Sequence, residues 1–229
     1  MKHDENGIDH LAALASLNEP LRRRIYEHAR GQDDGVSRDG VAAALGVARS
    51  VAAFHLDKLV VVGLLEVGYR RPPGRSGPGA GRPAKWYRRA VGEIGCSVPE
   101  RRYGLAAALL ARAITRAASG TVGVEEALCD VARQHGQEMG GVLRAASGSS
   151  SDRERLVELL AEHGYEPKMS GDRITLANCP FQTLTEEHRD LVCHMNFELL
   201  RGMADEAGLP PGAARLDPSP RRCCVTLPA

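Results

Sequence analysis

Apolar positions recur at helical spacing from the start of the chain, at Leu11, Leu14 and Leu17, then at Leu21, Ile25 and Tyr26 beyond Pro20. That pattern predicts one or two opening helices interrupted at the proline. Residues 31–35 read as a loop, and Ser37 is placed to cap the helix that follows. A short Ala-rich helix then meets Gly46, a residue suited to a tight turn between helices. The next helix begins near Ala48. Its Ala52, Leu56 and Leu59 form an inward stripe, while Arg49, Ser50, Ala53, Phe54, Asp57 and Lys58 occupy the other face. Two strands, residues 64–70 and 84–89, flank a stretch rich in Gly, Pro and Arg.

The remaining chain predicts two helices over residues 100–118 and 124–143, then a serine-rich joint at 147–151. Past Asp152 the pattern becomes a small mixed module. It has a helix bearing Leu156, Leu159 and Leu160 that closes at Gly164, a hairpin of residues 165–169 and 173–177, a long helix over 186–206, and a last strand over 223–227. The expected fold class is α+β: an N-terminal winged helix-turn-helix (1–90), central helices for linkage or dimerisation (91–147) and a small C-terminal α+β sensor domain (152–229).

Charge sharpens the first of these segments. Residues 1–90 hold 15 Lys and Arg against 10 Asp and Glu, whereas residues 91–229 hold 15 against 19. Between Arg70 and Arg89 there are seven Lys and Arg and no acidic residue. Uncompensated positive charge beside a helix-turn-helix favours the phosphates of double-stranded operator DNA. Arg49, Ser50, Phe54 and Lys58 are expected to face the major groove, with Arg49 the base reader, since Arg pairs bidentately with guanine. Arg82, between Gly81 and Pro83, is expected in the minor groove, with Arg71, Arg75 and Lys85 on phosphates. His55 is expected to lie half buried under the helix. The central helices are expected to pair two copies, because a two-fold dimer matches two half-sites.

No apolar run approaches the ~18 residues of a membrane span, and the first residues lack the apolar core of a signal peptide. A cytoplasmic protein without a membrane partner is expected. In that compartment six cysteines point to metal or redox chemistry before structural disulfides. Cys179, Cys193 and Cys223 come from three different elements of the last module and are the expected metal ligands, for zinc or an iron–sulfur cluster. Neighbours on a strand face opposite ways, so one of Cys223 and Cys224 is expected at the site and the other in packing. The fourth position is open among Glu187, His188, His194 and Cys224. Cys96 and Cys129 are expected to be buried thiols. No paired carboxylates, phosphate loop or Ser/His/Asp arrangement points to an enzyme.

These residues resemble a known family. The helix with His55-Leu56-Asp57-Lys58-Leu59, followed by Gly63-Leu64-Leu65, is similar to the winged helices of ArsR-type regulators. Together with Gly81-Arg82-Pro83-Ala84-Lys85, Asn178-Cys179-Pro180-Phe181, Val192-Cys193 and Cys223-Cys224-Val225, it resembles the SufR type of iron–sulfur-sensing repressor. The resemblance spans nearly the whole chain. It implies a homodimer that binds its operator while holding an iron–sulfur cluster of the 4Fe-4S type, and that represses cluster-assembly genes. Cys179, Cys193 and Cys223 match its ligand pattern.

Overall fold

The computed structural model describes residues 9–70, 83–145, 151–219 and 222–228. The chain divides into two compact units, residues 1–96 and 97–229, each with its own core. Both mix helices with a small antiparallel sheet, so the α+β expectation holds.

The first unit opens with α1 (His10–Ser16) and α2 (Pro20–Arg30), separated at the proline as the sequence predicts. Pro20 occupies the first turn of α2, where its missing N–H costs nothing, and Glu19 caps that turn by accepting from the amides of Leu21 and Arg22. Strand β1 (Val36–Ser37) leads into α3 (Arg38–Leu45), with the Ser37 hydroxyl accepting from the Gly40 amide at 3.0 Å. Gly46 adopts φ 67°, a left-handed conformation that ends α3 and redirects the chain into α4 (Arg49–Val61). Strands β2 (Leu65–Arg70) and β3 (Ala84–Arg89) pair from Leu65–Arg89 to Arg70–Ala84, and β1 adds to the other edge of β3. Ile25, Val41, Leu56, Leu59, Leu65 and Tyr87 form the centre of this core.

The second unit contains α5 (Tyr103–Ala117), α6 (Val124–Ala145), α7 (Asp152–Glu162), β4 (Pro167–Ser170) and β5 (Arg173–Leu176). It continues with α8 (Leu184–Glu187), α9 (Arg189–Glu206), β6 (Arg215–Leu216) and β7 (Val225–Pro228). Its sheet order is β4-β5-β7-β6. Ser151 begins α7 with a reciprocal capping box to Glu154. The long helix expected over 186–206 is two helices, broken at His188, whose backbone leaves the helical region. Of the expected joint at 147–151, residues 147–150 lie outside the described residues.

One core joins α5 and α6 to the module beyond Asp152, where the sequence predicts a separate linking segment. The physical reason is glycine. α6 and α9 pack so closely that a Cβ on Gly136 would run into the Leu199 carbonyl, and one on Gly202 into the Arg133 carbonyl. Arg133 adds an ion pair to Asp205 at 3.1 Å. These faces of α6 and α9 are therefore spent on each other within the chain.

Gly202→Ala is expected to destabilise the protein by about 1–3 kcal/mol in urea unfolding, as overpacking does. Gly141, also on α6 but with open space around its Cβ position, should gain up to about 1 kcal/mol as Ala from helix propensity. Equal effects of the two substitutions would contradict this packing.

Candidate nucleic-acid interface and thiol cluster

In the first unit, α4 buries Ala52, His55, Leu56 and Leu59 and exposes Arg49, Ser50, Phe54 and Lys58. Phe54 is 55% exposed, a large apolar side chain facing solvent beside the Lys58 ammonium, 5.9 Å from its ring centre. His55 is buried, with its Nδ1 3.4 Å from the Glu19 carboxylate. Arg49 pairs with Asp39 at 2.6 Å. Both side chains are mostly exposed, and a pair of that kind contributes only about 0–1 kcal/mol, so it yields readily to a competing anion. Arg71, Arg75, Gly81 and Arg82 lie outside the described residues.

One residue differs from the sequence expectation. Asp57, expected on the outer face of α4, is half-buried, and its Oδ1 accepts at 3.0 Å from Lys85, the residue expected on a phosphate. The reason is a long-range network. Tyr87 on β3 also donates to Oδ1, at 2.7 Å, and Arg38 at the start of α3 donates to Oδ2 at 2.6 Å and to the Tyr87 hydroxyl at 2.7 Å. One carboxylate thus ties α3, α4 and the hairpin together. Partial burial pushes the Asp57 pKa up, but the hydrogen bonds from Tyr87 and Lys85 and the Arg38 charge outweigh it and hold the carboxyl below its ordinary value. Burial, then the hydrogen bond to Asp57, pushes the Tyr87 phenol up to about 12.

In the second unit, antiparallel pairing of β5 with β7 brings the thiols together. Thr175 pairs with Thr226, and the Cys223 amide donates to the Leu176 carbonyl at 2.9 Å, so the exit of β5 toward Cys179 lies beside the approach to β7. The Cys223 thiol lies within hydrogen-bonding reach of the Cys179 and Cys224 sulfurs, and the Cys193 thiol of Cys224. Cys179, Cys223 and Cys224 are buried and Cys193 is half-buried. The expected opposition of Cys223 and Cys224 does not hold. Strand β7 begins only at Val225, so the two cysteines sit in a bend where strand alternation does not apply. Of the candidates for the fourth position, only Cys224 joins the other thiols. Glu187, His188 and His194 are exposed, and His194 Nδ1 lies 2.8 Å from the carbonyl of Asp190.

Among the described residues, no group of three or more His, Cys, Asp or Glu side chains is arranged to hold a metal ion. The contacts run as a chain, Cys179–Cys223–Cys224–Cys193, so Cys193 reaches the other two expected ligands through Cys224. The donor chemistry nevertheless suits a thiolate-held centre. Hydrogen bonds from Cys193 and then Cys223 bring Cys224 down to about 3, and the bond from Cys223 lowers Cys179, aided by the Phe181 backbone amide. Cys223 and Cys193, which hold their protons for these neighbours, are pushed up. The positive charges of Arg101 and Arg189 favour the lowered pair.

The sequence reading missed Asn196 and Tyr165. Asn196 is fully buried and donates from Nδ2 to the Cys223 sulfur at 3.1 Å, while its Oδ1 accepts from the Tyr165 hydroxyl at 2.6 Å. The available signal is an amide among the apolar Val192, Met195 and Leu199, one helical turn past Cys193. Cys129 is half-buried and Cys96 is exposed, so the expectation of burial fails for Cys96, which lies in a connector without regular structure. No family model, curated protein or solved structure matches the chain.

The depressed Asp57 pKa contributes stability that is present above its ordinary value of 3.8 and is lost as pH falls through the lower folded value. The raised Tyr87 pKa contributes stability that is present below its ordinary 10.0 and is lost between there and about 12. Trp86, the only tryptophan, reports unfolding of the first unit. Urea unfolding followed by its fluorescence should show a shallower acid loss in Asp57→Asn and a shallower alkaline loss in Tyr87→Phe. Limbs identical to wild type would contradict the network.

Proposed function

We propose that this chain is a homodimeric winged-helix transcriptional repressor that holds a thiolate-bound iron–sulfur cluster and controls cluster-assembly genes. The observation that carries the sensing half is the meeting of four cysteine thiols from the β5 exit, α9 and the segment before β7. The DNA-reading half is supported by the exposed Arg49, Ser50, Phe54 and Lys58 on α4, beside a hairpin with no acidic residue from Arg70 to Arg89. On this reading α4 is the recognition helix and β2–β3 the wing. The role toward cluster-assembly genes rests on the resemblance of the cysteine pattern, and the two-fold assembly on the match between a dimer and two half-sites.

Cys179, Cys193 and Cys223 would hold the cluster, with Cys224 as the fourth sulfur at the same place. A bound iron–sulfur cluster supplies a redox-sensitive centre that cross-links its protein ligands. The chain's own part is to orient those ligands. Asn196, fixed by Tyr165, donates to Cys223, and the Phe181 amide donates to Cys179. With a cluster bound, such hydrogen bonds to sulfur would orient and tune its ligands. Arg101 grips the Asn178–Cys179 turn, donating to the Asn178 side chain and, at 3.2 Å, to the Cys179 carbonyl. The same turn accepts the Arg102 amide at Pro180, so a moved Cys179 shifts the start of α5.

A second reading, structural zinc, would draw on the same thiols, three pairs of which are already within reach of one another. Tetrahedral Zn–S bonds of about 2.3 Å bring sulfurs to about 3.8 Å from one another. Colour separates the two, since thiolate-bound zinc is colourless.

Anaerobic reconstitution with iron and sulfide should give wild type a brown colour with iron and acid-labile sulfide. Cys179→Ser and Cys223→Ser should each lose both. An operator selected from a randomised duplex pool should bind the coloured protein more tightly than the colourless one. A wild type that stays colourless, or equal operator affinity with and without cluster, would overturn the reading.

A further inference from the structure

A cavity of about 310 Å³ lies between the start of α3, the start of α4 and the far end of the β2–β3 hairpin. Arg38, Arg49 and Lys85 line it together with Asp39. Asp57 is not part of the lining, and it accepts from both Arg38 and Lys85. A guanidinium has five N–H groups and an ammonium three. Asp57 and Tyr87 take two from Arg38, and Asp57 one from Lys85. These bonds leave three N–H groups on Arg38 and two on Lys85, both residues of the cavity wall. The positive end of the α3 dipole adds to them, since Ser37, Arg38 and Asp39 at that end are part of the wall.

The charges select the ligand. Three cations against Asp39 and Asp57 leave a single positive charge, the complement of a phosphodiester monoanion. Tyr69, 61% exposed, and Pro83 give the cavity apolar wall beside its cations, suited to a deoxyribose. We propose that this cavity seats one backbone phosphate of duplex DNA, gripped by Arg38 and Lys85, with Arg49 released to it from Asp39. The proposal rests on the DNA-binding reading above, adds Arg38 as a contact and Asp39 as the internal competitor, and moves Arg49 from the base contact expected from the sequence to a phosphate. Phosphate contacts position a protein on the duplex and carry no sequence information, so a mixed-sequence duplex is a sufficient probe.

The test is fluorescence anisotropy of a labelled mixed-sequence duplex across a salt series with the full chain, using wild type, Arg38→Gln, Lys85→Gln and Asp39→Asn. Arg38→Gln and Lys85→Gln should each weaken binding about fivefold and flatten the slope of log affinity against log salt by about one. Asp39→Asn should tighten binding, by about threefold, because the competitor for Arg49 is gone. That gain separates a phosphate seat from a loosened fold, since a damaged protein does not bind better. Wild-type binding with unchanged affinities and slopes in the variants would overturn the cavity assignment and leave the DNA reading standing. So would a loss in Arg38→Gln and Lys85→Gln without a gain in Asp39→Asn. A wild type that binds no duplex at low salt would overturn the DNA reading and this proposal with it.

Discussion

A half-buried carboxylate has to recover the hydrogen bonds that water would supply, and Asp57 recovers them from three side chains on two other elements. Arg38 comes from α3, and Lys85 and Tyr87 come from β3. Each participant was placed by something local: Ser37 capping α3, Gly46 turning the chain into α4 with its Asp57, and strand pairing setting the register of β3. The carboxylate then converts three local structures into one fixed arrangement. The orientation of the hairpin relative to the exposed face of α4 follows from it, as does the cavity between them.

The second unit depends on an analogous constraint. Antiparallel pairing of β5 with β7 sets Cys179 near Cys223, though 44 positions separate them in the sequence. The close approach of α6 to α9, which only glycine at 136 and 202 permits, fixes the helix that brings Cys193 and Asn196. A buried amide whose oxygen is already satisfied by Tyr165 can direct only its N–H groups at sulfur. That directionality makes the Cys223 sulfur an acceptor, while its own thiol serves Cys179 and Cys224. It is the physical link between the core of this unit and its proposed chemistry.

What was legible in the sequence was local. The cap at Ser37, the break at Pro20, the left-handed Gly46 and the extents of β2 and β3 all follow from neighbours a few residues apart. What was not legible depends on distant partners. Asp57 looks like a solvated charge until Lys85 and Tyr87 are brought to it. Cys224 looks like a packing residue until the late start of β7 frees it from strand alternation. The union of α5 and α6 with the last module hangs on glycines whose partner backbone lies more than 60 residues away. The break at His188 has no glycine or proline to announce it.

Hydrogen exchange of the full chain, with and without a mixed-sequence DNA duplex, tests the central claim that α3, α4 and the β2–β3 hairpin form the nucleic-acid surface. Slowed exchange is expected in peptides covering residues 37–61, 65–70 and 83–89. Protection confined to residues 97–229, with none in those peptides, would contradict it.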